Sequence, residues 1–461
     1  MSKTSLLSFS SLTFLSTLFG RILITTLFGR IISDNSFSRD NLRNIVVDEE
    51  NGVLYLGGDG VLYKLRTDNF SIVNSIPYTC GSCYSKVLLK TNNNTLIVCG
   101  VDDNGKCALY NSTNLAISVN VNSGLFLYGN RNKTAVGLLN SEGTDLYVGL
   151  TYGQAANNGL PYYVISNRDT DSTSFNIIAN DIGGVFVPRG LRIKEQIKNS
   201  YLIYFRAVFQ TKTHVYFLTN QRFQSPIDSP YVSKLIRICK DDYGFYSYID
   251  LELECKNTMG DKFSLVQHGD LIELGDKLST SQDMQALVAT FAAGIDPENP
   301  WSNRSAICLY TMKEIQERII DAQTRIVSKC DNGRMVYNES FTYIDVARPA
   351  IGPPCQNESF VKDYMSCNTI FESYRTLTSF DTKLNSTAIF TADGTLLGKI
   401  AGSSLAEGYS DLLVGTDKGN VKKVVSFVLY GLMPFLSTIL AIHGGQYYST
   451  CTNIKTKNNF H

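Results

Sequence analysis

The sequence predicts an all-β chain folded as a β-propeller, and three observations carry that reading. Tyr (26) and Phe (24) are abundant and Gly (35) recurs at short intervals, the composition of short strands joined by tight turns. Long helical periodicity is nearly absent; the best helix candidate is "LYTMKEIQERIIDAQTRI", with apolar Met312, Ile315, Ile319 and Ile320. Several segments then repeat one pattern, an apolar strand, a Gly or Asp-Gly turn and a second strand.

Taken in order, these segments are "GVLYLGGDGVLYKL" from Gly52, "TLIVCGVDDNGKCALY" from Thr95, "TDLYVGLTYG" from Thr144 and "THVYFLTN" from Thr213. "QALVATFAAG" from Gln285, "TAIFTADGTLLGKI" from Thr387 and "DLLVGTDKGNVKKV" from Asp411 complete the series. A loose repeat of strands and turns on this scale points to radially arranged small sheets. Each such sheet buries both faces against its neighbours, so its strands can be apolar throughout. A β-sandwich array is the runner-up. The single Trp, Trp301, argues against WD40 blades and sialidase-type Asp boxes.

Charge excludes one class of function. The 42 basic residues balance the 42 acidic ones and no long like-charge block appears, so the sequence marks no basic stretch for a nucleic-acid backbone and nucleic acid is not an expected partner.

The ends read as targeting segments. Residues 1–33 hold no Asp or Glu, and Lys3 precedes the apolar run "LLSFSSLTFLSTLFG", the pattern of a signal peptide. Arg21 and Arg30 among Ser and apolar residues keep a mitochondrial presequence open, and the near-repeat "TLFGRI" leaves the cleavage position ambiguous. Residues 426–461 form an apolar stretch and tail. Val425 to Ile442 carries no charge and follows Lys422 and Lys423, at the lower edge of what spans a bilayer. Strands of the last sheet are the alternative to an anchor through 425–442.

Eleven cysteines are present, ten between Cys80 and Cys367 and Cys451 in the tail. An even set with one left over suits a disulfide framework in a secreted protein. Zinc would need a second pair for the C-x2-C at Cys80 and Cys83. No second C-x2-C exists, and His214, His268, His443 and His461 are too dispersed to complete a site. Glycosylation sequons stand at Asn69, Asn93, Asn111, Asn132, Asn303, Asn338, Asn357 and Asn385, in a chain so rich in Asn, Ser and Thr that several arise by chance.

Catalytic patterns fail one by one. His214 and His268 are not near a G-x-S-x-G elbow. "GTLLGKI" at Gly394 imitates a P-loop, but its glycines are one residue too close and Ile400 replaces the magnesium-binding Ser or Thr. "VDDNGK" at Val101 lacks the alternating oxygens and closing Glu of a calcium loop and suits a type I′ turn. Asp241 and Asp242 are adjacent, so on a strand they point to opposite faces. No catalytic residue, cofactor or metal is assigned.

Five phrases in order then resemble the semaphorin family. "KLIRICKDDYG" (Lys234 to Gly244), "LELEC" ending at Cys255, "RSAICLYTM" (Arg304 to Met312), "ARPAIGPPC" (Ala347 to Cys355) and "DLLVGTDKGNVKKV" are each similar to a phrase of its sema domain. The likeness covers residues 45–425. It implies a seven-bladed propeller in which Cys239 pairs with Cys355 and Cys255 with Cys308. Cys99 and Cys107 resemble the family's hairpin clasp, while the pairing of Cys80, Cys83, Cys330 and Cys367 stays open. The family's cysteine-rich module after the propeller is missing, and the short chain resembles the compact poxvirus semaphorins.

The resemblance implies a virus-encoded ligand, with a homodimer as one form, that binds a host plexin receptor and alters adhesion, migration or signalling of immune cells. The polar loops "RDTDSTS" at Arg168 and "VPRGLRIKEQ" at Val187, between Val164 and Phe209, are the guessed contact region. Alternatives are a secreted or membrane-bound decoy for another host factor and a propeller glycosidase.

Overall fold

The computed structural model describes residues 44–450. Left out of the description are residues 49, 79–84, 101–106, 121–132, 153–162, 171–174, 183, 224–228, 243, 275–284 and 301–302. Residues 329, 336–353, 366, 368–376, 406–408, 418–420, 428–438 and 444–445 are left out as well. The leader at 1–33, Cys80, Cys83, Cys451, Asn132, Asn338 and His461 therefore lie outside the described residues.

Six sheets, antiparallel except for one strand that joins the fourth, follow one another along the chain. Sheet one is β1 (Asn44–Asp48), β2 (Val53–Gly57), β3 (Val61–Arg66) and β4 (Ile72–Pro77). Sheet two is β5 (Val87–Lys90), β6 (Thr95–Cys99), β7 (Cys107–Asn111) and β8 (Ile117–Asn120). Sheet three joins β9 (Ala135–Leu139), β10 (Asp145–Leu150) and β11 (Ile165–Asp169); after the hairpin β12 (Ala179–Ile182) and β13 (Val185–Pro188) it ends on β14 (Gly190–Leu191). Sheet four holds β15 (Tyr204–Gln210), β16 (His214–Arg222), β17 (Tyr231–Cys239), β18 (Ile249–Lys256) and β19 (Lys262–Phe263).

Sheet five starts with β20 (Leu265–Glu273), β21 (Gln285–Ala292) and β22 (Arg304–Thr311). A long insert follows: α1 (Met312–Val327), β23 (Cys330–Asp331), β24 (Arg334–Met335), α2 (Glu358–Met365) and β25 (Leu377–Thr387). The chain then returns as β26 (Phe390–Asp393), the fourth strand of sheet five. Sheet six is β27 (Leu397–Leu405), β28 (Tyr409–Thr416), β29 (Val421–Phe427), β30 (Ile439–His443) and β31 (Gln446–Thr450). Both ends of the apolar stretch 425–442 thus belong to strands, with Val425 opposite Leu440. Among the described residues no helix is long and apolar enough to cross a membrane.

The first strand of every sheet lines one shared cavity: β1, β5, β9, β15, β20 and β27 contribute Asn44, Val87, Val136, Arg206, His268 and Lys399 among others. Six sheets around one axis make a propeller. The apolar clusters sit where that arrangement requires them. Tyr55 and Leu62 meet Leu88 and Val98 between sheets one and two, and Ile97 meets Leu146 and Val148 between two and three. Tyr147 and Ile165 meet Phe205 and Phe217, Leu218 and Leu251 meet Leu287 and Phe291, and Val288 and Ile307 meet Ile400 and Val414. Alternate residues of one strand serve opposite neighbours, as with Val98 and Ile97, which is why the strands read as continuous apolar runs.

Sheets packed this closely leave no room for a side chain at some crossings. A Cβ on Gly149 of β10 would lie 2.4 Å from the Phe205 ring, itself buried. Gly149→Ala is expected to lower stability by about 1–3 kcal/mol, read by urea denaturation; an unchanged midpoint would refute this packing between sheets three and four.

The seven blades implied by the resemblance are not reached: six sheets of four or more strands are present among the described residues. The seam lies between sheets six and one, where Lys399 Nζ donates to Asn44 Oδ1 at 3.1 Å. Val46 faces the core with sheet two, and Leu412 and Val414 face sheet five. Alternation therefore turns Ile45, Val47 and Leu413 toward the seam, where they are 55%, 52% and 50% exposed.

Candidate functional site: the disulfide-braced insert and neighbouring loops

The insert is held to sheets four and five by its own chemistry. At the start of α1, Thr311 Oγ1 accepts from Glu314 N at 3.2 Å while Glu314 Oε2 accepts from Thr311 N at 3.1 Å, a reciprocal capping box. Ile315 and Ile319 are fully buried against the core shared by those sheets, the face that the sequence periodicity marks. Gln316 on the same helix donates to Tyr216 Oη at 2.6 Å and accepts from the buried Arg237 guanidinium at 2.7 Å. Farther on, β25 runs parallel to β18 along the edge of sheet four, so the insert spans both sheets.

Four disulfides are described. Cys99–Cys107 joins directly opposed residues of β6 and β7, and Cys255–Cys308 ties β18 to β22. The implied Cys239–Cys355 pair is corrected: Cys239 bonds Cys367, and Cys355 bonds Cys330. The local backbone explains both. Pro354 bridges to Arg334, and Cys355 N donates to Gly333 O at 3.2 Å, which seats Cys355 on the hairpin that begins at Cys330. Cys367 follows α2 and lies by His214, the residue opposite Cys239 in the ladder.

Two histidines, His214 and His268, have described side chains. His214 Nδ1 meets Thr213 Oγ1 at 2.8 Å and its Nε2 lies 3.2 Å from Cys367 Sγ. His214, Cys239 and Cys367 are close enough to hold a metal, but both sulfurs are consumed in one disulfide and offer no thiolate. His268 faces the axial cavity, and its Nδ1 accepts from Ile400 N at 3.3 Å. Burial, with the nearby Lys399 charge, pushes its pKa down to about 3.

That shift has a consequence for acid stability. Between about pH 6.5 and 3 the unfolded chain binds a proton that folded His268 refuses, so stability falls as pH drops through that window. The expected loss from this group is about 1 kcal/mol per pH unit below pH 6. His268→Gln should flatten the slope in chemical denaturation; an unchanged slope would contradict the assignment.

Paired carboxylates fare no better. Asp242 accepts from Ser247 N, Ser247 Oγ and Gly244 N and organises its own loop, while burial raises its pKa. Gly394 takes a left-handed turn with φ of 67° and leads into β27, so "GTLLGKI" is a turn and a strand, not a strand–loop–helix. The residues lining the axial cavity include one carboxylate, Asp270, where glycoside hydrolysis uses a pair.

The guessed contact loops divide. Arg168 is buried, donating to Ser166 Oγ and Phe175 O, and so is corrected from an exposed candidate to a structural residue. In the second loop Val187 belongs to the hairpin β12–β13, whose Phe186 is 73% exposed. Arg192, Glu195 and Gln196 are exposed, with Arg192 over the Tyr163 ring. Aromatic residues and Arg are enriched in protein contacts, and nothing in the sequence pattern singled out Phe186. Asn69, Asn93, Asn303, Asn357 and Asn385 are exposed, whereas Asn111 is half-buried and accepts from Thr113 N and Asn114 N.

Comparison with known proteins follows the fold. The Sema domain model matches residues 271–437, which is most of sheets five and six with the insert. Mouse Plexin-A4 is 27% identical over 336 residues, covering 61% of this chain and 17% of that protein. The chain therefore spans about a fifth or less of this curated relative. The plexin A4 extracellular region superposes with a TM-score of 0.63 at 18% identity, over 89% of this chain and 46% of that one. Drosophila Semaphorin 1a gives 0.53 at 14% identity, over 90% of this chain and 79% of that one. Sema-domain proteins are extracellular signalling ligands and receptors, not enzymes. The chain is an all-β propeller that matches the Sema domain model over residues 271–437 and is similar to plexins in sequence and to plexins and semaphorins in fold.

Proposed function

We propose that this protein is an extracellular binding module that recognises a plexin through its propeller surface, without chemistry. The observation that carries the reading is the sema-type ring itself, interrupted by the braced insert as one rigid platform. An interface of about 1,600 Å² with aromatic and Arg anchors suffices for specific affinity, and exposed Phe186 of the β12–β13 hairpin and exposed Arg192 farther along the chain are residues of those types. A leader within 1–33, a propeller over 45–425 and glycans at the exposed sequons complete the reading. A seventh sheet would stand at the seam, where it would cover Ile45, Val47 and Leu413. The finer role, a virus-encoded ligand acting on host immune cells, rests on the resemblance of the five sequence phrases to the semaphorin family.

A second reading is favoured by the stronger structural likeness to plexin A4 than to Semaphorin 1a: the module then behaves as a receptor-type propeller and its partner is a semaphorin. Surface plasmon resonance against immobilised plexin and semaphorin ectodomains separates the two. Saturable binding to plexin supports the first reading and binding to semaphorin the second. Binding to neither overturns both.

A further inference from the structure

The axial cavity has a built interior that the binding reading does not use. Its volume is about 390 Å³. Four cationic side chains line it, Lys86, Lys133, Arg206 and Lys399, against the single carboxylate of Asp270. Glu298 pairs with Lys133 at 2.9 Å, and Asp270 accepts from the backbone of Leu271 and Gly402. His268 stays neutral near physiological pH. The four cations against Asp270 and Glu298 leave two positive charges in excess.

Three of the inner strands break their regular alternation at this wall. Register shifts occur at Arg206 in β15, Gln267 in β20 and Gly398–Lys399 in β27. A bulge re-aims a side chain that the pleat would send elsewhere, and each of these segments contributes a cavity-lining side chain. Two of the re-aimed groups are cations without a carboxylate partner among the described residues. Arg206 donates through Nη2 to Pro297 O, and its buried Nε has no partner. Lys399 donates to the neutral Asn44 amide. Lys399 is exposed as a residue, yet desolvation by its surroundings pulls its pKa down to about 8.

Gathering like charges is unfavourable unless an anion joins them, and a desolvated guanidinium N–H left unmatched carries its own penalty. We propose that the axial cavity is a binding site for a multiply charged oxyanion, held by Arg206 and Lys399 from the bulges of sheets four and six. Phosphate and carboxylate ligands share this chemistry. Bound there, the anion neutralises the cavity and adds a link beside the Asn44–Lys399 seam.

The test measures thermal unfolding of the full secreted chain in pyrophosphate, in citrate and in sodium chloride at matched ionic strength. A saturable rise in Tm with pyrophosphate, with citrate or with both, beyond that in chloride, is expected and identifies the chemical source. Lys399→Met should weaken the effect about tenfold or more, and Arg206→Lys, which keeps the charge but loses the fork, serves if the first variant does not fold. Equal shifts in all three salts, or undiminished affinity in the variants, would overturn the proposal.

Discussion

Asp250→Ala is expected to cost about 3–5 kcal/mol of folding stability. Asp250 Oδ1 lies 3.5 Å from Lys234 Nζ, with side-chain exposures of 0% and 2%. The pair bridges β17 and β18 in the centre of sheet four, and Tyr248 donates to the other carboxylate oxygen at 3.0 Å. Removing the carboxylate takes from a desolvated ammonium its compensating charge. The double variant Lys234→Met, Asp250→Leu should recover most of the loss, since a well-packed apolar pair can replace a buried ion pair. Urea unfolding measures both. A single variant within about 1 kcal/mol of wild type would show that water reaches the pair.

Replacing Cys255 and Cys308 by Ala is expected to cost on the order of 4 kcal/mol. The bridge closes a sequence separation of 53 residues, and loop-closure entropy sets a stabilisation of that size. Both residues are fully buried, in the core between sheets four and five. Replacing Cys99 and Cys107 should cost about 2.5 kcal/mol or less, because only 8 positions separate them and the β6–β7 ladder already holds them opposite each other. Equal losses in the two double variants would contradict this ordering.

Much of the architecture is legible in the sequence for a plain reason. Strands buried on both faces are apolar at successive positions, as in "TLIVC" of β6 and "QALVATFA" of β21, and Gly or Asp-Gly turns punctuate them. The helix α1 shows itself through Ile315 and Ile319. What local pattern does not encode is where a long insert returns. Cys355 and Cys367 are only 12 positions apart, and pairing by analogy put the wrong one on Cys239. The deciding contacts, Cys355 with the β23–β24 hairpin and Cys367 with His214, are set by tertiary packing. The functional surface was harder still. Arg168 reads as a polar loop residue, yet its guanidinium is satisfied internally by Ser166 and Phe175, while Phe186 carries no sequence mark that separates it from a core residue. The cavity cations were hidden for a different reason: bulges at Arg206 and Lys399 interrupt the two-residue period on which strand reading depends.

The most direct test of a plexin-binding propeller uses the purified protein on matched cells that differ in plexin expression. Saturable binding to the plexin-bearing cells, lost on the deficient ones and weakened by Phe186→Asp without a change in Tm, is the predicted result. Equal binding to both cell lines would contradict the account.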